Sequence, residues 1–253
     1  MRASSRNVGG AADASDRGHD PVIVSRARSA VRWRAARLTM VSMDLARRGL
    51  NTAALSLRFL RARDPFDAGS NTICTDFVTW LSREKGARVL EIGTRRTEGG
   101  APTTRRHWAH SSAEYVTSDF MAGPDVDVVA DAEKLSDSFE TESFDAVIGC
   151  SVFEHIKRPW LAAPEIGKVL RPGGKVFVQT HFAFPVHAYP YDYWRFTREA
   201  LETLFGPESG FASCDSYYEF PAAIVSRELY LSAYGHSFLN VCCVAVKGEK
   251  RAT

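Results

Sequence analysis

Residues 88–93 read Arg-Val-Leu-Glu-Ile-Gly, and this run limits the folds open to the chain more than any other stretch. Val89, Leu90 and Ile92 make a short apolar segment suited to a strand buried on both faces, as in a parallel sheet. Glu91 stands near its end and Gly93 follows at once. An acid followed by a glycine turn leaves room for a ligand to lie against backbone, with a carboxylate at hand to accept its hydrogen bonds. One such strand end is ordinary, but here it recurs. Residues 115–119 and 126–131 read as strands closing in Asp119 and Asp131, and the strand 144–150 runs into Ser151-Val152-Phe153-Glu154-His155.

Helical signals lie between these strands. Ile73, Phe77 and Leu81 recur every fourth residue, so a helix with one apolar face precedes the first strand, capped by Ser70 or Asn71 and ended by Gly86. Residues 94–114 are polar and broken by Gly99, Gly100 and Pro102, so any helix there is short. Only twelve residues separate Asp119 from Asp131, too few for a helix and a strand, so the second crossover reduces to a loop through Gly123 and Pro124. A helix carrying Ile166, Val169 and Leu170, with Pro164 in its first turn, stops at the turn Arg171-Pro172-Gly173-Gly174. A fifth strand at 176–178, an aromatic and His-rich loop at 181–196 and a helix capped by Thr197 follow. Strands at 211–219 and 238–246 flank a helix-like insertion at 221–236. This alternation describes an α/β chain with a doubly wound, mainly parallel sheet and right-handed crossovers. Ligands of such sheets bind beyond the carboxyl ends of the strands, where Glu91, Asp119, Asp131 and residues 151–155 fall.

The chain divides by composition into an extension, 1–64, and a domain, 65–253. From Met1 to Asp64 there are thirteen Arg against five Asp, and 21–64 contains no Lys. Residues 1–20 are small, polar and aperiodic, a composition that favours disorder. Leu45, Leu50, Leu57, Phe59 and Leu60 outline an amphipathic helix with Arg47, Arg48, Arg58 and Arg61 on its polar side. Three readings of 21–64 stay open: a solvated helix on the domain, a helix in weak contact with a membrane surface or anionic partner, and a transit peptide. Met40 and Met43 are alternative starts. A net charge of +2 gives no ground for a nucleic-acid partner. Five cysteines without a Cys-x-x-Cys pair fit free thiols in a reducing, cytoplasmic setting.

Taken together, these segments resemble the class I S-adenosylmethionine-dependent methyltransferases of the type-11 group. The resemblance covers about residues 70–247. It is carried by Val89-Leu90-Glu91-Ile92-Gly93, by residues 126–135 (VDVVADAEKL), by 144–159 (FDAVIGCSVFEHIKRP) with its Glu154-His155 pair, and by 169–174 (VLRPGG). Residues 190–197 (PYDYWRFT) resemble a segment of members linked to glycan-type gene clusters. The resemblance implies a Rossmann-like methyltransferase fold with a seven-stranded sheet, and S-adenosyl-L-methionine as cofactor. Asp119 would take the ribose diol, with Phe120 beside it; Asp131 and the Ala132 amide would meet the adenine; Glu91, Gly93 and Thr94 would hold the methionine end; Cys150 and Ser151 would line the channel. Of the group's Gly-x-Gly-x-Gly turn only Gly93 is kept, followed by Thr94, Arg95, Arg96 and Thr97.

A hydroxyl acceptor gains from a base, and His155, His181 and His187 are the candidates, the first two foremost. Tyr191, Asp192, Trp194 and Arg195 are expected to meet a small-molecule or glycan-type acceptor, methylated at oxygen, with the insertion (Arg227, Glu228, Tyr230, Tyr234) as a lid. His181 and His187, six apart in a Pro-containing loop, match no common ligand spacing, so no metal is expected. A nicotinamide dehydrogenase would need Gly-x-Gly-x-x-Gly after the first strand, and that is absent. A catalytically inactive methyltransferase-fold binding or scaffold protein stays open as the alternative. The oligomeric state is not legible.

Overall fold

The computed structural model describes residues 71–97, 99–222, 224 and 237–249, all within one compact unit, Arg61–Thr253. The Arg-rich extension, Ser70 and the capping side chain of Asn71, and Arg227, Glu228, Tyr230 and Tyr234 of the insertion lie outside what is described. Among the described residues, no helix is long and apolar enough to cross a membrane.

Helix α1 (Asn71–Arg83) leads into β1 (Arg88–Ile92), followed by β2 (Glu114–Asp119), β3 (Val128–Val129) and β4 (Phe144–Cys150). Then come α2 (Pro159–Val169), β5 (Leu170–His181), α3 (Arg198–Leu204), β6 (Phe211–Ala222) and β7 (Ser237–Lys247). The strands form one seven-stranded sheet in the order β3-β2-β1-β4-β5-β7-β6. From β3 to β5 neighbours are parallel, and β7 runs antiparallel to both β5 and β6. This is the Rossmann-like methyltransferase architecture.

Alternation along the strands builds two cores. Leu90, Val147, Val176, Val178, Val241 and Cys243 face α2 and α3, where Ile166, Val169, Leu201 and Phe205 pack. Val89, Ala146, Ile148, Phe177 and Cys242 face α1 through Phe77 and Leu81. Both faces of the central strands are therefore dry, which is why those strands read as near-continuous apolar runs.

Three details differ from the sequence reading. The third strand is only Val128–Val129, because the Asp127 carboxylate accepts from Thr117 N at 3.0 Å and Thr117 Oγ1 at 2.7 Å and so replaces a ladder bond with a side-chain bond. Pro159 occupies the first turn of α2, while Pro164 lies inside the helix. Residues 171–174 form not a free turn but a bulge inside β5: Leu170 pairs with Phe144 and Lys175 with Ala146, with Gly173 at φ +75°.

The turn after β1 depends on glycine for two reasons. Gly93 has φ +74°, and a Cβ there would stand 2.5 Å from Val152 Cγ2 and 2.7 Å from its Cβ. Left-handed strain costs about 1–3 kcal/mol for an ordinary residue, before the clash is relieved. Gly93→Ala is expected to lower stability by about 2 kcal/mol or more, read from chemical denaturation; an unchanged midpoint would contradict this packing.

Candidate functional site

The strand ends stand level on one edge: Ile92 is in register with Ser118 and Gly149, and Cys150 with Gln179. Beyond β1 the chain is stitched to the loop after β2. Thr94 N donates to Ser118 O at 3.1 Å and Thr94 Oγ1 to Asp125 O at 2.7 Å, which buries this side chain. Asp119 receives Arg95 N at 3.1 Å on one oxygen and Met121 N at 3.0 Å on the other, and stays half-exposed. Phe120, beside it, is 57% exposed. Asp131 is the N-cap of a short 3-10 turn, Ala132–Asp137, its Oδ1 accepting from Glu133 N at 2.9 Å, and is exposed, with Ala132 half-buried next to it.

The Glu91 carboxylate is buried and accepts from Arg105 N at 2.9 and 3.1 Å and from Tyr115 OH at 2.8 Å. Burial pushes its pKa up against these donors. Glu91 thus ties the 94–105 segment to the sheet. At the end of β4, burial pushes the Cys150 thiol up to about 12, so it stays protonated and can line a site without reacting. Ser151 is exposed at φ +53°, a strained position for a residue with a Cβ, and its N–H donates to Gln179 O at 2.8 Å.

Past Ser151, a single 3-10 turn (Phe153–His155) swings Glu154 inward. Its side chain has no exposure. Thr180 Oγ1 donates to Oε2 at 2.7 Å, and His181 Nε2 lies 3.0 Å from Oε1, an ion-pair distance without the alignment of a hydrogen bond. Burial would raise the Glu154 pKa, but His181 and Thr180 outweigh it and hold it low. Burial would lower that of His181, but Glu154 and then Asn240, 3.0 Å from Nδ1, hold it high. His155 approaches the same oxygen, with Nε2 3.8 Å from Oε1. Its Nδ1 is 2.8 Å from Tyr191 O, and because a carbonyl can only accept, that nitrogen carries the proton.

The loop 182–196 closes over this group. Tyr193 N and Trp194 N both donate to Glu154 O, and Phe196 N donates to His181 O. Inside the loop, Arg195 donates from Nη1 to Asp192 Oδ1 at 2.6 Å and from Nη2 to Asp192 Oδ2 at 2.8 Å, and also to the carbonyls of Phe184, Pro185 and Trp194. The Asp192 carboxylate, nearly buried and held low by Arg195, also takes His187 N at 2.8 Å. Arg195 and Asp192 are therefore bonded to each other and to the loop itself. Trp194 is likewise turned to its own chain, its Nε1 on Lys157 O at 3.3 Å and its ring against Trp160. Tyr191 remains half-exposed, and its ring meets that of Phe120 edge-on at 6.0 Å. The residues expected at the cofactor edge and the acceptor loop thus adjoin through that pair.

Residues 106–178 match the family model described as a methyltransferase domain. The match covers less than half of the chain, and over those residues the chain is similar to a methyltransferase domain. Among solved structures, the YcgJ protein of Bacillus subtilis shares the fold with a TM-score of 0.52 at 12% identity, over 70% of this chain and 99% of that one. An S-adenosylmethionine-dependent methyltransferase from Archaeoglobus fulgidus is similar at 15% identity over 68% and 90% of the two chains, with a TM-score of 0.46. A Burkholderia thailandensis 1,6-didemethyltoxoflavin-N1-methyltransferase is similar at 15% identity over 79% and 88%, with a TM-score of 0.47. None of the curated proteins matches. The donor set of this edge suits the S-adenosylmethionine that the sequence resemblance implies. Two half-exposed or exposed carboxylates stand at the ends of β2 and β3, each with lone pairs left after its backbone bonds, and exposed Phe120 and Ser151 flank them.

The sequence reading did not foresee Thr180, Asn240 or Tyr115 as partners, although Glu154 and His181 fall at the ends of adjacent strands and could have been paired on that ground. Removing His181 leaves a buried carboxylate without its cation, a loss of about 3–5 kcal/mol. His181→Ala is expected to lose that much in denaturant unfolding and His155→Ala, more exposed, about 1 kcal/mol or less; equal losses would contradict the pairing.

Proposed function

We propose that this chain transfers a methyl group to a hydroxyl of a small-molecule or glycan-type acceptor, with His155 as proton acceptor. The observation that carries the reading is the convergence of the carboxylate edge and the aromatic loop on His155, whose Nδ1–H is fixed by Tyr191 O. When bound, S-adenosylmethionine supplies an electrophilic methyl on a sulfonium. Asp119 would hold the ribose diol: its oxygens are pre-aimed by Arg95 N and Met121 N, and each keeps a lone pair. Asp131 and the Ala132 amide would meet the adenine, the backbone of Gly93 and Thr94 the amino-acid end, and Cys150 and Ser151 the channel wall. Glu91 would act indirectly, by holding the segment that ends at Arg105.

Most of the acceleration would come from holding the two reactants in line. The fixed tautomer leaves a lone pair on His155 Nε2, and a proton placed there sits 3.8 Å from Glu154 Oε1, so the imidazolium would form next to a buried carboxylate. His181 has both ring nitrogens facing partners, Glu154 and Asn240, and would position Glu154 rather than touch the acceptor. Tyr191 and Phe120 would present ring faces to an acceptor with a ring of its own.

Calorimetry with S-adenosylhomocysteine tests the cofactor half. Asp119→Ala loses hydrogen bonds to a charged group, about 1.5–3 kcal/mol, so affinity should fall by about 10- to 150-fold. Labelled methyl transfer to a panel of phenols and free sugars tests the other half. His155→Ala should lower the rate by about 100-fold or more and Tyr191→Phe more modestly, both with S-adenosylhomocysteine affinity within about twofold, under ~0.5 kcal/mol. Transfer at the parent rate in His155→Ala would remove the proton-acceptor role, and label found only on nitrogen or carbon would remove the hydroxyl.

A further inference from the structure

Glu154, His155 and His187 each offer one ligand atom, and these atoms all lie within 4.8 Å of one another. They come from separate places in the chain, the turn after β4 and the loop after β5, so their spacing in sequence gave no sign of it. We propose that they form a binding site for one first-row divalent cation of the zinc class.

The remaining bonds of each residue favour this. Glu154 is fully buried, Thr180 occupies Oε2, and Oε1 has no aligned hydrogen-bond donor. His181 Nε2 stands 3.0 Å from Oε1 as an ion pair without hydrogen-bond alignment, so Oε1 still has a lone pair that a metal cation could take. His155 has its Nδ1 proton on Tyr191 O at 2.8 Å, so Nε2 carries the lone pair. His187 follows the same plan. Its Nδ1 is 3.2 Å from Pro185 O and 3.4 Å from Asp192 Oδ2; both can only accept, so Nδ1 is the protonated nitrogen and Nε2 is free to ligate. Metal-binding histidines hold their second nitrogen in this way, on a carbonyl or a carboxylate. Here all three residues have that outer support before any ion arrives.

Two imidazole nitrogens and one carboxylate oxygen suit zinc and its neighbours, whereas magnesium and calcium take oxygen ligands. Ligand atoms about a zinc ion with ~2.1 Å bonds stand roughly 3.4 Å apart, so the trio must close by about an ångström on binding. His187 is the member with room to move. It is half-exposed, in an irregular stretch of the loop, and its ring centroid lies 4.8 Å from that of His155. Three protein ligands leave an open position, as catalytic zinc sites do. An ion there would take up the lone pair that His155 would otherwise offer to a proton, so cation and proton compete at Nε2. The binding itself stands apart from the methyl-transfer reading and is testable without cofactor or acceptor.

The full chain, stripped of metal, is titrated with zinc chloride in a non-coordinating buffer by calorimetry, and separately with cobalt(II) followed by visible absorption. One zinc per chain is expected, with His155→Ala and His187→Ala each weakening it by at least about tenfold and abolishing the cobalt bands. Thr180→Val, which removes no ligand, should weaken it less. His110→Ala, remote in sequence and in partners, should bind as the parent does. Circular dichroism of each variant guards against misfolding; His187 is the decisive one, since its loop position makes loss of fold the least expected. Absence of stoichiometric binding, or equal affinity in parent, His155→Ala and His187→Ala, would overturn the site. Loss of zinc binding with methyl transfer intact, or the reverse, separates this inference from the proposed reaction.

Discussion

The carboxylate of Glu154 is the point on which the carboxyl edge of the sheet depends. An ionised carboxylate taken fully out of water costs several kcal/mol unless it is paired and hydrogen-bonded. Here the compensation comes from elements far apart in sequence: Thr180 and His181 at the end of β5, and Asn240 of β7 through His181. The same residue's backbone carbonyl then receives Tyr193 N and Trp194 N. One buried charge therefore fixes the turn after β4, the end of β5 and the return of the aromatic loop against one another.

The other side of the edge is organised without buried charge. Asp119 is aimed by two backbone amides, Thr94 by two carbonyls, and Gly93 by the close approach of Val152. Amides and carbonyls of neighbouring loops give a rigid outline at low cost, since every group involved needs a partner anyway. A site built in this way has its acceptor and donor directions set before a ligand binds, which limits the ordering that binding must impose. Phe120 and Tyr191 then bring the two sides into contact.

Much of this architecture was legible in the residues. Apolar runs such as 88–92 and 144–150 announced central strands because both faces of the sheet are covered, and the acids near the strand ends fall together along one edge. Less legible were roles decided by partners distant in sequence. Glu91 receives bonds from Tyr115 and from the amide of Arg105. Arg195 pairs with Asp192, three residues earlier, and their paired bonds close the loop on itself. The histidines carry no metal-ligand spacing along the chain, whereas Glu154, His155 and His187 come together only when the loop after β5 returns to the turn after β4. In each case a side chain's type suggested its chemistry, and the fold decided which partner received it.

The central claim is that cofactor and acceptor meet at this edge, between Asp119 and the Glu154–His155 turn. A crystal structure of the chain with S-adenosylhomocysteine tests it most directly. The account predicts ribose density on Asp119, with the sulfur directed toward the Cys150–Ser151 segment and His155. Ordered ligand elsewhere on the domain, or no binding of S-adenosylhomocysteine to the folded chain, would contradict it.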